Sequence, residues 1–251
     1  MLTRYKLRLE PKTTILIMNS LYLIIPAYNE ADNINNIIEE WYPVIETHNG
    51  DGASRLVIID DGSKDDTYAI AKKATEHLSL AEVHTKPNGG HGSTIYYGYD
   101  YALKQGADYI FQTDSDGQTL ACEFEDFWEE RKTAGAIIGS RINRADGIAR
   151  RIVSLFVRLT LYLTFHVSAE DVNTPYRLMR HDALQDALCH IPEGYNLTNI
   201  ALTGLLLKNN TVKFLPITFR SRQAGTNSIN IPKIVKMGVK ALSELANISR
   251  S

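Results

Sequence analysis

The sequence predicts an α/β fold, a Rossmann-like and mostly parallel central sheet with helices on both faces. Three observations predict it. Short unbroken apolar runs, such as residues 21–25 and 109–111, alternate with longer amphipathic stretches, as expected of buried parallel strands joined by crossover helices. Acidic clusters close these runs, Asp60-Asp61-Gly62-Ser63 after one and Asp114-Ser115-Asp116 after another. At 251 residues and 44% hydrophobic content, the chain is long enough to bury one sizeable core.

Residues 1–20 precede the first clear strand and fit either a β-hairpin or a loose arm. Leu21–Ile25 is an apolar run that Pro26 is expected to stop. Ala27-Tyr28-Asn29-Glu30 follows, then a helix over about residues 31–47 that Asn29 or Asp32 is placed to cap. The next strand, residues 55–59, ends in Asp60 and Asp61. A helix over 65–78 comes after it, with Asp65 and Asp66 complementing its positive end.

A short strand over 81–85 leads into Lys86-Pro87-Asn88-Gly89-Gly90-His91-Gly92-Ser93. Three glycines ahead of a helix either let backbone N–H groups approach a phosphate or make a plain flexible turn. Helix 94–105, strand 109–111, helix 121–133 and strand 136–139 complete the alternation, the last closing in Ser140-Arg141. Right-handed crossovers make such a chain a parallel sheet. Asp60, Asp61, Asp114, Asp116 and Arg141 then share the carboxyl ends of the strands, where open α/β sheets bind ligands.

The Asp114/Asp116 pair is the chemical centre of this reading. Two carboxylates one residue apart on a turning strand end repel unless a cation joins them. A hard divalent ion with oxygen ligands suits them and keeps positions open for phosphate oxygens. Taken alone, Asp-x-Asp is more often a solvated Asp/Gly turn; the shared placement of the other polar residues points to one site.

Beyond Arg141 the character changes. Residues 1–140 hold 12 Lys+Arg against 22 Asp+Glu, and residues 141–251 hold 15 against 7, so charges of −10 and +8 sum to the net −2. A basic second half suits an anionic partner. Residues 148–167 are apolar with Arg151, Ser154 and Arg158 on one helical stripe, and residues 230–246 carry Lys233, Lys236 and Lys240 at helical spacing. Such helices either lie on an anionic membrane surface or pack normally with a solvated basic face. Between them come residues 169–179, a helix over 199–209 and a strand over 212–219 followed by Arg220 and Arg222. The expected organisation is an extension (1–20), one domain (21–228) and a C-terminal amphipathic helix (229–251).

Composition excludes other classes. Cys122 and Cys189 have neither a disulfide framework nor zinc spacing, which suggests a reducing compartment and buried packing for both. The scattered charges Arg4, Lys6, Arg8, Glu10 and Lys12 do not make a signal peptide. The longest uncharged apolar stretch near the middle, residues 159–169, is too short to span a bilayer. The expectation is a cytoplasmic protein, peripheral on the cytoplasmic face of a membrane.

Residues 24–30, 60–63, 89–92, 114–118, 139–141 and 171–177 together resemble the family 2 glycosyltransferases of the GT-A fold, most closely the branch acting on dolichyl or other polyprenyl phosphates. This chain has Thr174-Pro175-Tyr176-Arg177 where that branch commonly has Ser-Gly-Phe-Arg. The resemblance implies inverting transfer of a sugar from a nucleoside-diphosphate-sugar to a polyprenyl phosphate, with no nucleic acid as partner. It implies that Pro26, Tyr28, Glu30 and Asp61 hold the nucleoside, with Asp60 beside them, and that Ala27, Asn88, Ser115 and Asp114 also touch the nucleotide sugar. Asp114, Asp116 and Gln118 would hold Mg2+ or Mn2+. Arg141 and Arg222 would reach phosphates of donor or acceptor, and Asp171 would complete the catalytic set on the acceptor side. With a phosphate acceptor Asp171 would orient groups such as Arg177; with a sugar hydroxyl of a polysaccharide or lipid-linked oligosaccharide it would be the base. A silent nucleotide-sugar-binding module is the third reading, and the intact acidic pair argues against it.

Overall fold

The computed structural model describes residues 19–141, 148–220 and 242–250, and the side chains of Asp51 and of residues 148–153 are not described. The elements are β1 (Leu21–Ala27), α1 (Ile34–Thr47), β2 (Arg55–Asp60), α2 (Thr67–Thr75), β3 (Ala81–Thr85), α3 (His91–Lys104) and β4 (Tyr109–Gln112). They continue with α4 (Phe124–Glu130), β5 (Ala136–Arg141), α5 (Ile148–Phe165), β6 (Arg177–Arg180), α6 (His181–Leu188), α7 (Thr198–Asn209) and β7 (Val212–Ile217).

The strands form one seven-stranded sheet in the order β3-β2-β1-β4-β6-β5-β7. All neighbours run parallel except β6, which is antiparallel to both β4 and β5. The mostly parallel sheet is as expected. The uninterrupted parallel alternation through β5 is not: β6 wedges between β4 and β5, with Gln112 opposite Arg177. Alternate residues of each central strand face opposite layers. Ile24, Val57, Ile59 and Ile110 pack with α3, α5, α6 and α7, while Leu23, Ile25, Leu56, Ile58 and Phe111 pack with α1, α2 and α4.

Several boundaries move for local reasons. Pro26 does not stop β1, which continues to Ala27. The β4 ladder ends at Ile24↔Gln112, so a missing N–H at Pro26 leaves no bond unmade on that side. Neither Asn29 nor Asp32 caps α1. The helix starts at Ile34, and the Glu30 carbonyl accepts from Asn33 N and Ile34 N, both at 2.9 Å. Asn29 instead takes a left-handed backbone (φ +54°) and its side-chain oxygen accepts from Lys64 N at 2.8 Å. Helix α2 starts at Thr67 because the Asp65 carboxylate accepts its N–H at 3.1 Å. Helix α3 begins at His91, three residues earlier than expected, and α6 has no counterpart in the sequence reading.

Both cysteines are exposed rather than buried. Of the expected C-terminal helix, residues 242–248 are described and helical, with Leu245 and Ile248 buried in the core. Lys233, Lys236 and Lys240 lie outside the described residues, as do residues 1–18 of the expected extension. Among the described residues no helix is long and apolar enough to cross a membrane.

Candidate active site

A cleft of about 280 Å3 opens at the carboxyl ends of β1, β2 and β4, facing the N-terminus of α3. Nine of the residues singled out by sequence line it: Pro26, Ala27, Tyr28, Glu30, Asp61, Asn88, Asp114, Ser115 and Asp116. Gly90, His91 and Thr94 line it too. Sequence reasoning left these three out of the site, although the glycine-rich stretch ahead of a helix, Gly89 to Gly92, was the available signal.

Asp61 is the knot of the donor side. Its carboxylate accepts from Gly89 N at 2.9 Å, Gly90 N at 2.8 Å and Asn88 Nδ2 at 3.2 Å, and it pairs with Lys86 Nζ. Burial pushes this carboxyl up, but the Lys86 ammonium, the Gly89 N–H and the Thr94 hydroxyl outweigh burial and hold it below its ordinary value. Gly62 makes the loop possible. It has φ +65°, and a Cβ there would lie 2.9 Å from Asn88 N and 3.1 Å from Lys86 O. Asp60 turns away from the cleft: it accepts from Thr85 Oγ1 at 2.7 Å and Ser63 N at 3.2 Å, closing the strand end.

Asp114 and Asp116 sit together on the opposite lip. Asp116 is buried and accepts from Gln118 N at 3.2 Å. The Asp114 side chain is partly open, yet its Oδ1 is buried without a hydrogen-bond partner. His91 Nε2 stands 3.7 Å from that oxygen. Burial first, and the Asp116 charge as well, push the Asp114 carboxyl up against the opposing pull of His91. A buried carboxylate oxygen with no hydrogen bond, beside a second carboxylate, fits a divalent cation. Among the described residues, no group of three or more His, Cys, Asp or Glu side chains is arranged to hold a metal alone, so a bound anion or water would complete its shell.

Gln118 does not line the cleft. Its Nε2 donates to the Arg220 carbonyl at 2.9 Å, and Arg220 N donates back to the Gln118 carbonyl at 2.8 Å. The Arg220 guanidinium bonds both Glu40 carboxylate oxygens, at 2.8 and 3.0 Å. This clasp ties the end of β7 to the acidic loop.

Arg141 and Asp171 lie outside the cleft lining and grip each other. Arg141 Nε donates to Asp171 Oδ2 at 2.6 Å and its Nη2 to Oδ1 at 2.7 Å, with both side chains about one-tenth exposed. The guanidinium stands 5.0 Å from the centre of the Phe219 ring. The expected partnership of Asp171 with Arg177 is corrected here. Arg177 is fully buried and its guanidinium donates to Thr174 O at 2.6 Å, Asn199 O at 3.3 Å and Thr203 Oγ1 at 3.4 Å. Arg222 lies outside the described residues.

Comparison with known proteins gives this geometry a context. Residues 22–188 match the model of the family described as glycosyl transferase family 2. Polyprenol monophosphomannose synthase of Mycolicibacterium smegmatis is 28% identical over 225 residues, covering 83% of this chain and 80% of that protein. Undecaprenyl-phosphate mannosyltransferase of Micrococcus luteus is 26% identical over 219 residues, covering 82% and 86%. Among solved structures, glucosyl-3-phosphoglycerate synthase of Mycobacterium tuberculosis, in complex with Mn2+ and UDP-glucose, superposes with a TM-score of 0.66 at 16% identity, over 92% of this chain and 79% of that one.

Proposed function

Because the chain belongs to glycosyl transferase family 2 and has the GT-A fold, we propose that it moves a sugar from a nucleoside-diphosphate-sugar to a polyprenyl phosphate at a membrane surface. The observation that carries this reading is the Asp114/Asp116 pair, with the buried Asp114 Oδ1 making no hydrogen bond, facing the Asp61-held loop across one cleft. The names of the relatives, a polyprenol monophosphomannose synthase and an undecaprenyl-phosphate mannosyltransferase, support the acceptor class.

In this reading the ends of β1 and β2, with Tyr28, Glu30 and Asn88, hold the nucleoside, and the N-terminus of α3 faces the diphosphate. Asp114 and Asp116 hold Mg2+ or Mn2+, which supplies positive charge against the departing diphosphate. Gln118 contributes through the clasp that fixes the acidic loop. Arg141 and Arg222 serve the phosphates of donor or acceptor.

The acceptor phosphate oxygen attacks the anomeric carbon from the face opposite the leaving group. The new C–O bond forms as the bond to the diphosphate breaks, and the nucleoside diphosphate leaves with the electron pair. No proton has to be removed, because the attacking phosphate is already an anion. Asp171 suits that chemistry: both its oxygens are engaged by Arg141, which makes it a poor base and a good anchor. The reaction belongs on the cytoplasmic face of the membrane, with the protein docked peripherally.

The test is a matrix of UDP-, GDP- and dTDP-sugars against a polyprenyl phosphate, with Mn2+, Mg2+ or a chelator. One donor should give a lipid-extractable product that appears only with the cation. Transfer to an oligosaccharide hydroxyl and none to the lipid phosphate would replace this reading.

A further inference from the structure

Helix α5 presents an apolar stripe to the outside. Leu155, Phe156, Leu159, Tyr162 and Leu163 are 69, 37, 51, 58 and 57% exposed. At these spacings they occupy one side of the helix, a strip about 120° wide. The opposite side is anchored: Thr160, Leu161 and Phe165 are buried, and α5 packs on α7. Gly204 of α7 makes room for that seat, since a Cβ there would meet the Phe165 ring at 2.6 Å. An ordinary surface helix turns its polar side outward; this one turns out a contiguous apolar patch, which marks an interaction surface.

We infer that this stripe is a lipid-docking face that lies in the interface of an anionic bilayer, next to the acceptor end of the site. The inference rests on the polyprenyl-phosphate reading for its purpose, but not for its geometry. Four observations favour lipid over a protein occupant. Five half-exposed side chains offer about 500 Å2, below the roughly 800 Å2 per partner that a stable interface needs. The exposed apolar residues follow one side of a helix whose other side is anchored in the protein, and a one-sided strip of this kind meets a bilayer in its plane. Tyr162, with an apolar ring and a polar tip, suits the headgroup boundary. Residues 141–251 carry 15 Lys+Arg against 7 Asp+Glu, the sign that anionic headgroups attract.

The stripe is also tied to the chemistry. Arg158, exposed on the edge of the stripe, donates from its guanidinium to the Glu170 carbonyl, and Glu170 is followed directly by Asp171, the partner of Arg141. Docking of α5 would therefore set the Arg141–Asp171 pair at a fixed height above the lipid phosphates.

The experiment uses the full chain and the double variant Leu159→Ser/Leu163→Ser, both solvent-facing positions. Sedimentation with phosphatidylcholine vesicles, with and without phosphatidylglycerol, is read beside thermal melting, size-exclusion chromatography and transfer to a short-chain, water-soluble polyprenyl phosphate. Vesicle partitioning should fall roughly tenfold per leucine replaced, given the apolar area lost from the lipid. Melting temperature, oligomeric state and short-chain transfer should stay as in the wild type. Equal vesicle binding by variant and wild type, or none by the wild type, overturns the inference. So does a variant that loses a dimer or melts well below the wild type, because then a second copy or another part of this chain covers the stripe. If partitioning falls as expected but no donor supports transfer to any polyprenyl phosphate, the docking face stands and the proposed reaction falls.

Discussion

Strands β1 to β4 and strands β5 to β7 build the two sides of one sheet by different means. On the first side, charge is fixed largely by the loop itself: Asp61 is held by the N–H groups of Gly89 and Gly90 as well as by Lys86, and Asp60 by Ser63 N and the Thr85 hydroxyl. On the second, charge is fixed by charge: Arg141 and Asp171 hold each other, and a hydrophobic helix stands exposed beside them. A loop locked by its own backbone presents one rigid shape, suited to a nucleotide recognised by form. An ion pair is exchangeable, because an incoming phosphate can compete with a carboxylate for the same guanidinium. The difference suggests a rigid donor side and an adjustable acceptor side, and each variant below tests which side a residue serves.

The largest effect is expected from Asp116→Asn. Loss of one of the two cleft carboxylates should lower transfer about a thousandfold or more, from several kcal/mol of lost charge stabilisation in the transition state. Melting temperature should hold. Full turnover at saturating donor and cation would remove the acidic pair from the chemistry. Asp114 gives the same site a pH signature. Its carboxyl lies above its ordinary range, so the native state binds that proton more tightly than the unfolded chain. Its contribution to stability is therefore present at low pH and lost as pH rises through the folded value. A cation held there would take the place of that proton, so Mn2+ should raise the melting temperature at pH 7 and do so progressively less as the solution is acidified. A Mn2+ effect independent of pH would place the ion elsewhere.

Next come changes to the backbone-locked loop. Asp61→Asn leaves Lys86 without its charge partner and should cost about 2 kcal/mol in stability, with a weaker donor KM. The sign of its pH dependence is opposite to that of Asp114. The Asp61 carboxyl is held below its ordinary value, so its stabilisation is present above the unfolded value near 4 and lost as pH falls through the lower folded value. Wild type and variant should converge in acid. Gly62→Ala forces a side chain into a left-handed backbone beside Asn88 and Lys86, for about 1–3 kcal/mol. Both variants should weaken nucleotide binding measured by calorimetry and leave vesicle binding alone. Loss of vesicle binding in either would mean that the two sides are not independent.

Much of the donor side was legible in the sequence because its strands are buried on both faces and its polar residues follow them directly. Leu23, Ile24 and Ile25 are each fully buried, and a strand covered on both faces has to be apolar at every position rather than at alternate ones. The acceptor side was less legible. The stretch after Asp171 reads as strand-like, but Arg-Leu-Met-Arg, four residues with a cation at each end, does not tell that β6 inserts antiparallel between β4 and β5. Arg177 is buried there, bonded to the Thr174 carbonyl three residues back and to the Asn199 carbonyl of α7, 22 residues on. The Arg141–Asp171 pair joins positions 30 residues apart, and the Gln118–Arg220 clasp positions 102 apart. Such pairings depend on how the sheet brings its strands together, which local composition does not encode. The α5 stripe is a third kind of case. Its apolar residues were visible, but only the packing on α7 tells which of them face outward.

The smallest effect is expected from Asp171→Asn, and it decides what the adjustable side is for. Asp171 accepts two hydrogen bonds from Arg141 and a weaker one from Asn173 N at 3.4 Å. A carboxylate whose two oxygens are both taken by one guanidinium is badly placed to receive a substrate proton. If the acceptor is a phosphate, Asp171 only aims Arg141, and an asparagine, close in shape, keeps part of that aim. Transfer should then fall about tenfold, the typical scale for losing one orienting partner, and appear mainly in the KM for the acceptor. The pH profile should stay flat around neutrality, and Arg141→Lys should resemble Asp171→Asn because both break the same bidentate fork. A hydroxyl acceptor makes the opposite demand. Losing a general base would cost roughly a hundredfold or more in kcat, and the acid limb of the wild-type profile would vanish with it. That collapse, with nucleotide binding intact, would transfer the acceptor assignment from a lipid phosphate to a sugar hydroxyl and leave the donor side as described.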